Sequence, residues 1–391
     1  MIRSVAIAFL LGVWTVSLPS DLHVARRVLL VAGVVALTRM AYSFGRNRTA
    51  GLRVVILGNG PLVPMLIDAI ESSLMSRYVL VGVVSDEPLR EGTHAAWLGR
   101  IDRLPAIVEE VRPDRIVVAM LDRRGRLPLK PLLESRSRGV VVQDALEFYE
   151  RLTGKIAIEA LTPGALISAP GFRNHGTPEN VARVVSVTVA VIGLLLLAPL
   201  LAAIALAIKC EDASEAVLFL QERIGRDGHP FKLLKFRTMR SGGPRRSEWV
   251  QDNSDRITRV GKWLRRFRLD ELPQLVNILQ GEMNLVGPRP HPSCNQEIFM
   301  ERIAYYGLRS TVRPGVTGWA QVRYGYANNI DEETEKMRYD LYYIKNRSLR
   351  LDFGILIQTI GIMALGRGMD AVPQPRSIQP DIAVEPVVGQ R

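Results

Sequence analysis

VVSVTVAVIGLLLLAPLLAAIALAI (residues 184–208) decides how this chain is organised. The segment carries no charged residue and exceeds the roughly 20 residues that a membrane-spanning helix needs. Pro199 lies inside it, and a proline within a helix removes a backbone hydrogen bond and clashes with the preceding turn. Two interpretations follow: a kinked helix that spans the membrane, or a helix that enters, bends at Pro199 and returns to the same face.

The flanking sequences favour the second interpretation. Arginines follow an upstream apolar run, and positively charged residues stay on the cytoplasmic side. They are Arg39, Arg46, Arg48 and Arg53. A basic region follows the segment and is rich in residues that could bind phosphate. Its expected chemistry also places it on the cytoplasmic side of the membrane. A spanning helix would separate these two parts of the chain, so we expect a re-entrant helix whose backbone at the bend is satisfied by protein or water.

Two shorter apolar runs, residues 4–18 and 28–38, open the chain. A cleavable signal peptide is one explanation for the first run. No small-x-small cleavage site is evident and the second run follows at once, so we predict a membrane hairpin over residues 1–45.

Residues 52–150 alternate between apolar runs and helical patterns. The apolar runs are RVVILG (53–58), YVLVGVVSD (78–86), DRIVVAML (114–121) and GVVVQD (139–144). Continuous β-branched runs joined by helices predict a parallel sheet covered on both faces, which is a Rossmann-like domain. A linker is expected over residues 151–179.

The first turn of this domain is Gly58-Asn59-Gly60-Pro61-Leu62-Val63. A dinucleotide fingerprint needs a small residue at the position of Val63, because helix and strand pack closely there. Half a fingerprint is weak evidence, so we predict a structural or regulatory domain and no bound nucleotide cofactor.

Composition limits the class of protein. The 391 residues are 47% hydrophobic and 23% charged, which suits a folded protein of two domains with additions. A net charge of +12 favours phosphates, anionic lipids or nucleic acid, but no nucleic-acid-binding motif is evident. Cys210 and Cys294 stand alone, which argues against structural zinc and against a disulfide framework.

The C-terminal part has two further features. Residues 352–366 predict a helix that either lies on the membrane surface or packs like an ordinary helix. The tail, residues 371–391, has no periodicity and is expected to be disordered.

Candidate chemistry is concentrated in LDELPQLVNIL (269–279). Its apolar spacing predicts a helix from about Leu272, with Asp270 and Glu271 at the N-terminal end. Acids at a helix start are commonly caps. Here arginines crowd the same place, which favours phosphate chemistry, and adjacent carboxylates allow one to attack while the other holds Mg²⁺.

Two basic motifs accompany the acidic pair. In GPRP (287–290), prolines on both sides of Arg289 restrict the backbone that presents its guanidinium; the alternative is a rigid exposed turn. In KFRTM (235–239), Lys235 and Arg237 share one side of an extended segment, because residues two apart face the same way. We expect both to bind substrate; the alternative is a basic, solvated strand.

These motifs together resemble the bacterial sugar transferase family, the polyprenyl-phosphate phosphoglycosyl transferases. The resemblance covers residues from about 180 to 366 and rests on shared order and spacing. Its further markers are QERIGRDGHPFKLLKFRTM (221–239), LVGPRP (285–290) and RPGVTGWAQV (313–322). The N-terminal half looks like the long form of the family, and EFYERLTGKIAIEAL (147–161) is similar to an exopolysaccharide-associated subgroup.

The resemblance implies an α/β protein with a Rossmann-like sheet and a mainly α catalytic domain, residues 180–370, at the cytoplasmic face of the bacterial inner membrane. It implies transfer of a sugar-1-phosphate from a UDP-sugar to polyprenyl phosphate, through a phosphosugar-aspartate, with release of UMP. Asp270 matches the nucleophile and Glu271 its partner at Mg²⁺. The matching substrate-binding positions are Lys235, Arg265, Arg289 and, with its role left open, Asp340. Whether the protein forms a homo-oligomer stays open.

The sequence departs from the family pattern in three places. Ala198 stands where the bend usually has serine, Gln321-Val322-Arg323-Tyr324-Gly325 replaces the usual QVNGR, and a hairpin replaces a four-helix bundle. Two rival functions are a nucleotide-sugar oxidoreductase or epimerase, for which residues 52–150 lack an acid/base pair, and a non-catalytic membrane scaffold. The intact DELPQL and GPRP motifs argue against the scaffold.

Overall fold

The computed structural model describes residues 51–72, 77–89, 93–120, 125–161, 164, 172, 176–240, 256–325, 327 and 329–365. The predicted N-terminal hairpin and the C-terminal tail lie outside these residues. The backbone divides into two compact units: residues 1–59 with 70–143, and residues 60–69 with 144–391.

A five-stranded sheet forms the first unit, in the order β3-β2-β1-β4-β5. Its strands are β1 (Leu52–Leu57), β2 (Tyr78–Val84), β3 (Trp97–Gly99), β4 (Arg115–Val118) and β5 (Val141–Asp144). β1 pairs in parallel with β2 and β4, and β2 pairs in parallel with β3. The sheet is therefore of the expected α/β type. The sequence missed β3, because three residues are too short to form an apolar run.

Three helices follow strands of this sheet in the chain. They are α1 (Leu62–Ser72), most of which belongs to the second unit, α2 (Leu104–Val111) and α3 (Leu129–Ser137). Gly58 ends β1 with a φ of +113°, and a Cβ there would lie 2.8 Å from the Met120 side chain. The glycine is thus required by packing within the fold itself.

The second unit is mainly helical. Its helices before the acidic motif are α4 (Ala145–Thr153), α5 (Gly176–Glu211) and α6 (Arg259–Arg266). The later ones are α7 (Gln274–Gln280), α8 (Ser293–Arg302), α9 (Trp319–Arg323), α10 (Ile330–Lys345) and α11 (Leu349–Ala364). Two small pairs of strands complete it: β6 (Leu218–Ile224) with β7 (Pro230–Phe236), and β8 (Asn284–Val286) with β9 (Gly315–Thr317).

α4 shows where the chain joins this unit. Its Glu150 accepts a hydrogen bond from Lys345 of α10 at 2.7 Å, and Gly154 accepts one from the Trp319 indole at 2.8 Å. The predicted boundary at residue 150 therefore falls inside a helix that packs within the second unit.

α5 is the apolar helix that the sequence predicted, extended at both ends. Among the described residues it alone is long and apolar enough to cross a membrane. It continues through Pro199 as one helix. Ala190, Ile204 and Ile208 are buried against the unit, whereas Leu195 and Leu196 are more than 70% exposed. The helix therefore has one packed face and one exposed apolar face.

α11 follows the prediction for residues 352–366 but begins and ends slightly earlier. Its Ile355 is fully buried in a core cluster of the second unit. Phe353, Ile357 and Ile360 are each more than half exposed. The helix is thus packed on one side and apolar on the other.

Candidate active site

The acidic pair lies in a 3-10 turn, Leu269–Glu271, between α6 and α7. The sequence predicted a helix from Leu272, but the α-helix starts at Gln274. Pro273 has no N–H to donate to the Leu269 carbonyl, and Leu272 donates to it instead at 3.3 Å. The tighter turn places both carboxylates in the buried interior of the unit.

Asp270 is only 9% exposed. Burial, and after it the neighbouring charge of Glu271, raise the pKa of its carboxyl to about 6, against the opposing charges of Lys235, Arg265 and Arg289. A carboxylate in this environment is poorly solvated, which favours its use as a nucleophile once it is ionised.

The pKa of Glu271 shifts in the opposite direction. Burial raises its pKa, but the charges of Arg289 and Arg268 outweigh this and hold the pKa below its usual value. Arg289 donates to Glu271 Oε1 at 2.7 Å. Glu271 is therefore the member of the pair that stays ionised.

The β6–β7 hairpin brings Lys235 to the pair. Burial, and after it the charge of Arg223, lower the pKa of this ammonium to about 7, against the opposing charge of Asp270. Its Nζ lies 5.2 Å from the centroid of the Phe219 ring, directly across the hairpin. Arg265 is held by a hydrogen bond from its Nε to Thr238 at 2.9 Å.

The GPRP loop is fixed by its backbone carbonyls. Those of residues 288–291 accept hydrogen bonds from Gly315 N (2.9 Å), Arg309 (3.0 Å), Arg223 (2.9 Å) and Ile224 N (3.1 Å), respectively. The backbone that presents Arg289 is therefore tied to three separate parts of the unit.

Asp340 lies behind this loop. It accepts from Arg309 Nε at 2.9 Å, and Arg309 also donates to the Tyr306 hydroxyl at 2.8 Å. Burial raises the pKa of Asp340, against the opposing charge of Arg309. The sequence missed Arg309, because an arginine outside the recognised motifs gives no signal that it contacts one of them.

Arg237 has different surroundings. It lies 3.4 Å from Glu215 and 3.8 Å from Asp212, and it donates to the Asp212 carbonyl at 3.2 Å. These contacts join the end of β7 to the C-terminal end of α5. The structure thus brings Lys235, Arg265 and Arg289 to the acidic pair, and it places Arg237 and Asp340 in supporting contacts.

Gln321 connects the divergent 321–325 segment to the site. It is 4% exposed, and its side-chain oxygen accepts from Arg268 at 3.0 Å. Arg268 adopts a left-handed backbone conformation, with φ of +54°. A non-glycine residue in that region is a strained conformation that is often found at functional sites.

The oxygen ligands at the acidic pair suit only a partial site for a divalent cation. The described residues contain no group of three or more His, Cys, Asp or Glu side chains suited to a metal. Mg²⁺ commonly takes one or two carboxylates and completes its shell with water and substrate phosphates. Arg289 uses Oε1 of Glu271, so the ionised Glu271 with its second oxygen fits such a partial site.

Comparison with known proteins agrees with this geometry. The model of the bacterial sugar transferase family matches residues 178–366, which include the whole site. A UDP-N-acetylgalactosamine-undecaprenyl-phosphate N-acetylgalactosaminephosphotransferase of Aeromonas hydrophila is 35% identical over 303 residues, covering 75% of this chain and 68% of the relative.

Two further relatives are described as UDP-glucose:undecaprenyl-phosphate glucose-1-phosphate transferases. The one from Escherichia coli K12 is 30% identical over 82% of this chain and 70% of its own length. The one from Klebsiella pneumoniae is 29% identical over 92% of this chain and 80% of its own length. Because the matched region contains the acidic pair and every basic residue gathered around it, the chain belongs to the bacterial sugar transferase family.

Proposed function

We propose that this enzyme transfers a sugar-1-phosphate from a UDP-sugar to a polyprenyl phosphate, giving polyprenyl-diphosphate-sugar and UMP. The relatives' described reactions support this assignment. The observation that carries it is the pair of adjacent buried carboxylates with opposite pKa shifts, Asp270 and Glu271. Three cations near the pair suit a substrate that carries two phosphates.

The reaction proceeds in two displacements. An Asp270 oxygen attacks the β-phosphorus of the UDP-sugar, and the bond from that phosphorus to the bridging oxygen breaks, so that UMP leaves. An oxygen of the lipid phosphate then attacks the same phosphorus. The bond to Asp270 breaks, which frees the carboxylate for the next turnover.

Preorganised charge is the main source of stabilisation. Lys235, Arg265 and Arg289 offset the negative charge that builds up on the transferring phosphoryl group in a site with little water. Glu271 orients Arg289 through their 2.7 Å hydrogen bond. Mg²⁺ held by Glu271 and the substrate phosphates would supply further charge neutralisation.

The acceptor lies in a membrane, and α5 provides the means of reaching it. The helix has 36 residues and is roughly 54 Å long. Near its start, Arg183 donates to the Ile278 carbonyl at 2.6 Å; at its end, Glu211 accepts from Arg259 N at 2.8 Å.

Contacts at both ends with the same unit support re-entry from one side of the membrane. A spanning helix would have to release one of these ends, together with the buried contacts of Ala190 or Ile208. We therefore place α5 in the cytoplasmic leaflet of the bacterial inner membrane, with its exposed apolar face toward lipid.

A turnover assay tests the function. Membrane-extracted protein is incubated with a panel of UDP-sugars and polyprenyl phosphate, and UMP and the lipid product are measured. We expect both with at least one sugar, and radiolabel from that UDP-sugar on the denatured protein when acceptor is omitted. Failure to release UMP with any sugar would overturn the assignment.

A further inference from the structure

Strand β6 begins with three consecutive exposed apolar residues. Leu218, Phe219 and Leu220 are 43%, 38% and 56% exposed. Successive residues of a strand point to opposite faces, so this end of the hairpin is apolar on both faces. Exposed apolar strand ends favour unwanted association and are normally avoided, which suggests that this one contacts a ligand.

The middle residue adjoins the reaction site. Phe219 pairs across the hairpin with Lys235, whose Nζ lies over its ring at 5.2 Å. The charge of Lys235 in turn lowers the pKa of Asp270. An apolar surface thus ends at the cation that stands beside the nucleophile.

The other end of this surface adjoins the membrane helix. Leu218 pairs with Phe236, and Phe236 packs with Ile204 and Ile208 of α5 in one core cluster. Val217, the residue before β6, packs against the same cluster. The three exposed residues therefore lie between the apolar helix and the charged site.

The second displacement needs such a connection. The acceptor phosphate must reach the phosphorus bound to Asp270, and its first isoprene units follow within a few bonds. Leaving those units in water would be unfavourable by about 0.8 kcal/mol per CH₂. An apolar surface that starts at Lys235 and continues to α5 removes that cost.

We propose that Leu218, Phe219 and Leu220 form an isoprene subsite, which binds the phosphate-proximal isoprene units of the lipid acceptor while its phosphate contacts Lys235. The subsite rests on the proposed function, because it assigns a place to the second substrate of that reaction. The positive charge of Lys235 lies next to the apolar surface of β6, as the phosphate of the acceptor lies next to its prenyl chain.

The test compares acceptors of two lengths. Phe219→Ser and Leu220→Ser are assayed with long-chain polyprenyl phosphate in vesicles and with farnesyl phosphate in detergent. Loss of one apolar contact should raise KM for both acceptors roughly tenfold, since both carry the proximal isoprenes. KM for the UDP-sugar should not change. Phe219→Leu, which keeps an apolar side chain, should recover most of the loss.

Phe353→Ser on α11 is the matched control, since Phe353 is exposed and apolar but lies on a helix outside the β6–β7 hairpin. It should weaken cosedimentation with vesicles and raise KM for the long acceptor alone. If Phe219→Ser behaves in the same way, with farnesyl phosphate unaffected, β6 is only a membrane anchor and the subsite is wrong. Unchanged KM values for both acceptors, or a rise for the UDP-sugar, would also overturn it.

Acceptor-free exchange of labelled UMP into UDP-sugar separates this inference from the proposed function. Exchange reports the first displacement alone, so Leu220→Ser should retain it, because Leu220 pairs with Leu234 and not with Lys235. Retained exchange also shows that this variant is folded. Absence of exchange in the unsubstituted protein would count against the two-step function instead.

Discussion

Arg309 donates to the backbone carbonyl of Arg289 at 3.0 Å, and Arg289 donates to Glu271 Oε1 at 2.7 Å. The arginine at the acidic pair is thus held from behind by a second arginine. Asp340 and Glu333 balance the charge of Arg309, at 2.8 Å and 3.7 Å. We infer from this relation that Asp340 is a positioning residue, because it contacts the site only through Arg309.

Asp340→Asn should therefore lower kcat by roughly 10- to 100-fold with little change in KM for either substrate, as loss of an outer contact typically does. It should also destabilise the fold by up to about 3 kcal/mol, because Arg309 loses part of its charge compensation. Assays are run where thermal melts show the variant fully folded.

A purely structural role would leave the Mg²⁺ requirement unchanged. We expect Asp340→Asn to raise the Mg²⁺ concentration for half-maximal rate, because Arg309 would hold Arg289 less firmly and the hydrogen bond between Arg289 and Glu271 would weaken. Glu109→Gln, at an exposed ion pair with Arg138, is the control and should match the unsubstituted protein. Identical Mg²⁺ curves for Asp340→Asn would remove the positioning role.

Asp270→Asn should abolish turnover, by at least roughly 10³-fold as expected for loss of a nucleophile. An amide cannot form the phosphosugar intermediate, so the denatured protein should carry no label from the UDP-sugar. Asp227→Asn, an exposed acid beside Arg226, serves as the control with normal labelling. Label retained on a folded Asp270→Asn protein would place the nucleophile elsewhere.

Glu271→Gln should weaken Mg²⁺ dependence, since a neutral amide is a poorer ligand for a hard cation. Arg289 would also lose its ionised partner, so a drop in kcat of roughly 10- to 100-fold is expected. The measurement is rate against Mg²⁺ concentration. Glu222→Gln, on the exposed side of β6, should leave the curve in place. An unmoved curve for Glu271→Gln would mean that other groups hold the metal.

The dependence of kcat/KM on pH should be a narrow bell-shaped curve. Asp270 must be ionised to attack, so kcat/KM rises with pH through its raised pKa of about 6. Lys235 must be charged to bind phosphate, so kcat/KM falls as pH passes its lowered pKa of about 7. Both limbs describe the free enzyme. Lys235→Arg should remove the alkaline limb, because arginine stays charged. An alkaline limb that persists in this variant would belong to another group.

Much of the fold followed from patterns of sequence. Four of the five sheet strands were predicted, because each is a continuous apolar run, as buried parallel strands require. The apolar helix was predicted for the same reason, although its ends extend into the polar residues Glu179 and Glu211. Those ends carry contacts with distant parts of the chain, such as Arg313 and Val260, that local pattern does not reveal.

Sequence patterns identified some of the residues at the site but not others. Lys235 and Arg289 lie in the basic motifs KFRTM and GPRP, and Arg265 lies shortly before Asp270 in the chain; the structure gathers all three at Asp270. Alternation placed Arg237 on the same face as Lys235. β7 ends at Phe236, however, and beyond that residue the pairing to Asp212 and Glu215 sets the side chain's direction. Arg309 is identified only by its tertiary contacts with Asp340 and the Arg289 carbonyl, which no local pattern predicts.

The last prediction concerns the topology of α5. After replacement of Cys210 and Cys294, single cysteines are introduced at Asn180 and Ser214, which are both exposed beyond the apolar core of the helix. If α5 re-enters, both positions are shielded from a membrane-impermeant thiol reagent in intact cells and both react in opened cells. Labelling of one position from outside would establish a spanning helix.

Pro199→Ala tests what holds the helix in place. The substitution restores a backbone N–H and removes the ring clash, which favours a straight helix. The buried contacts of Ala190, Ile204 and Ile208 stay intact, so we expect only a partial shift toward the spanning topology, with activity falling in proportion to the shifted fraction. Leu195→Ala, at an exposed position on the same helix, controls for loss of apolar area and should keep both cysteines shielded. Unchanged labelling and turnover in Pro199→Ala would show that the polar contacts at the two helix ends, and not the proline, fix the topology.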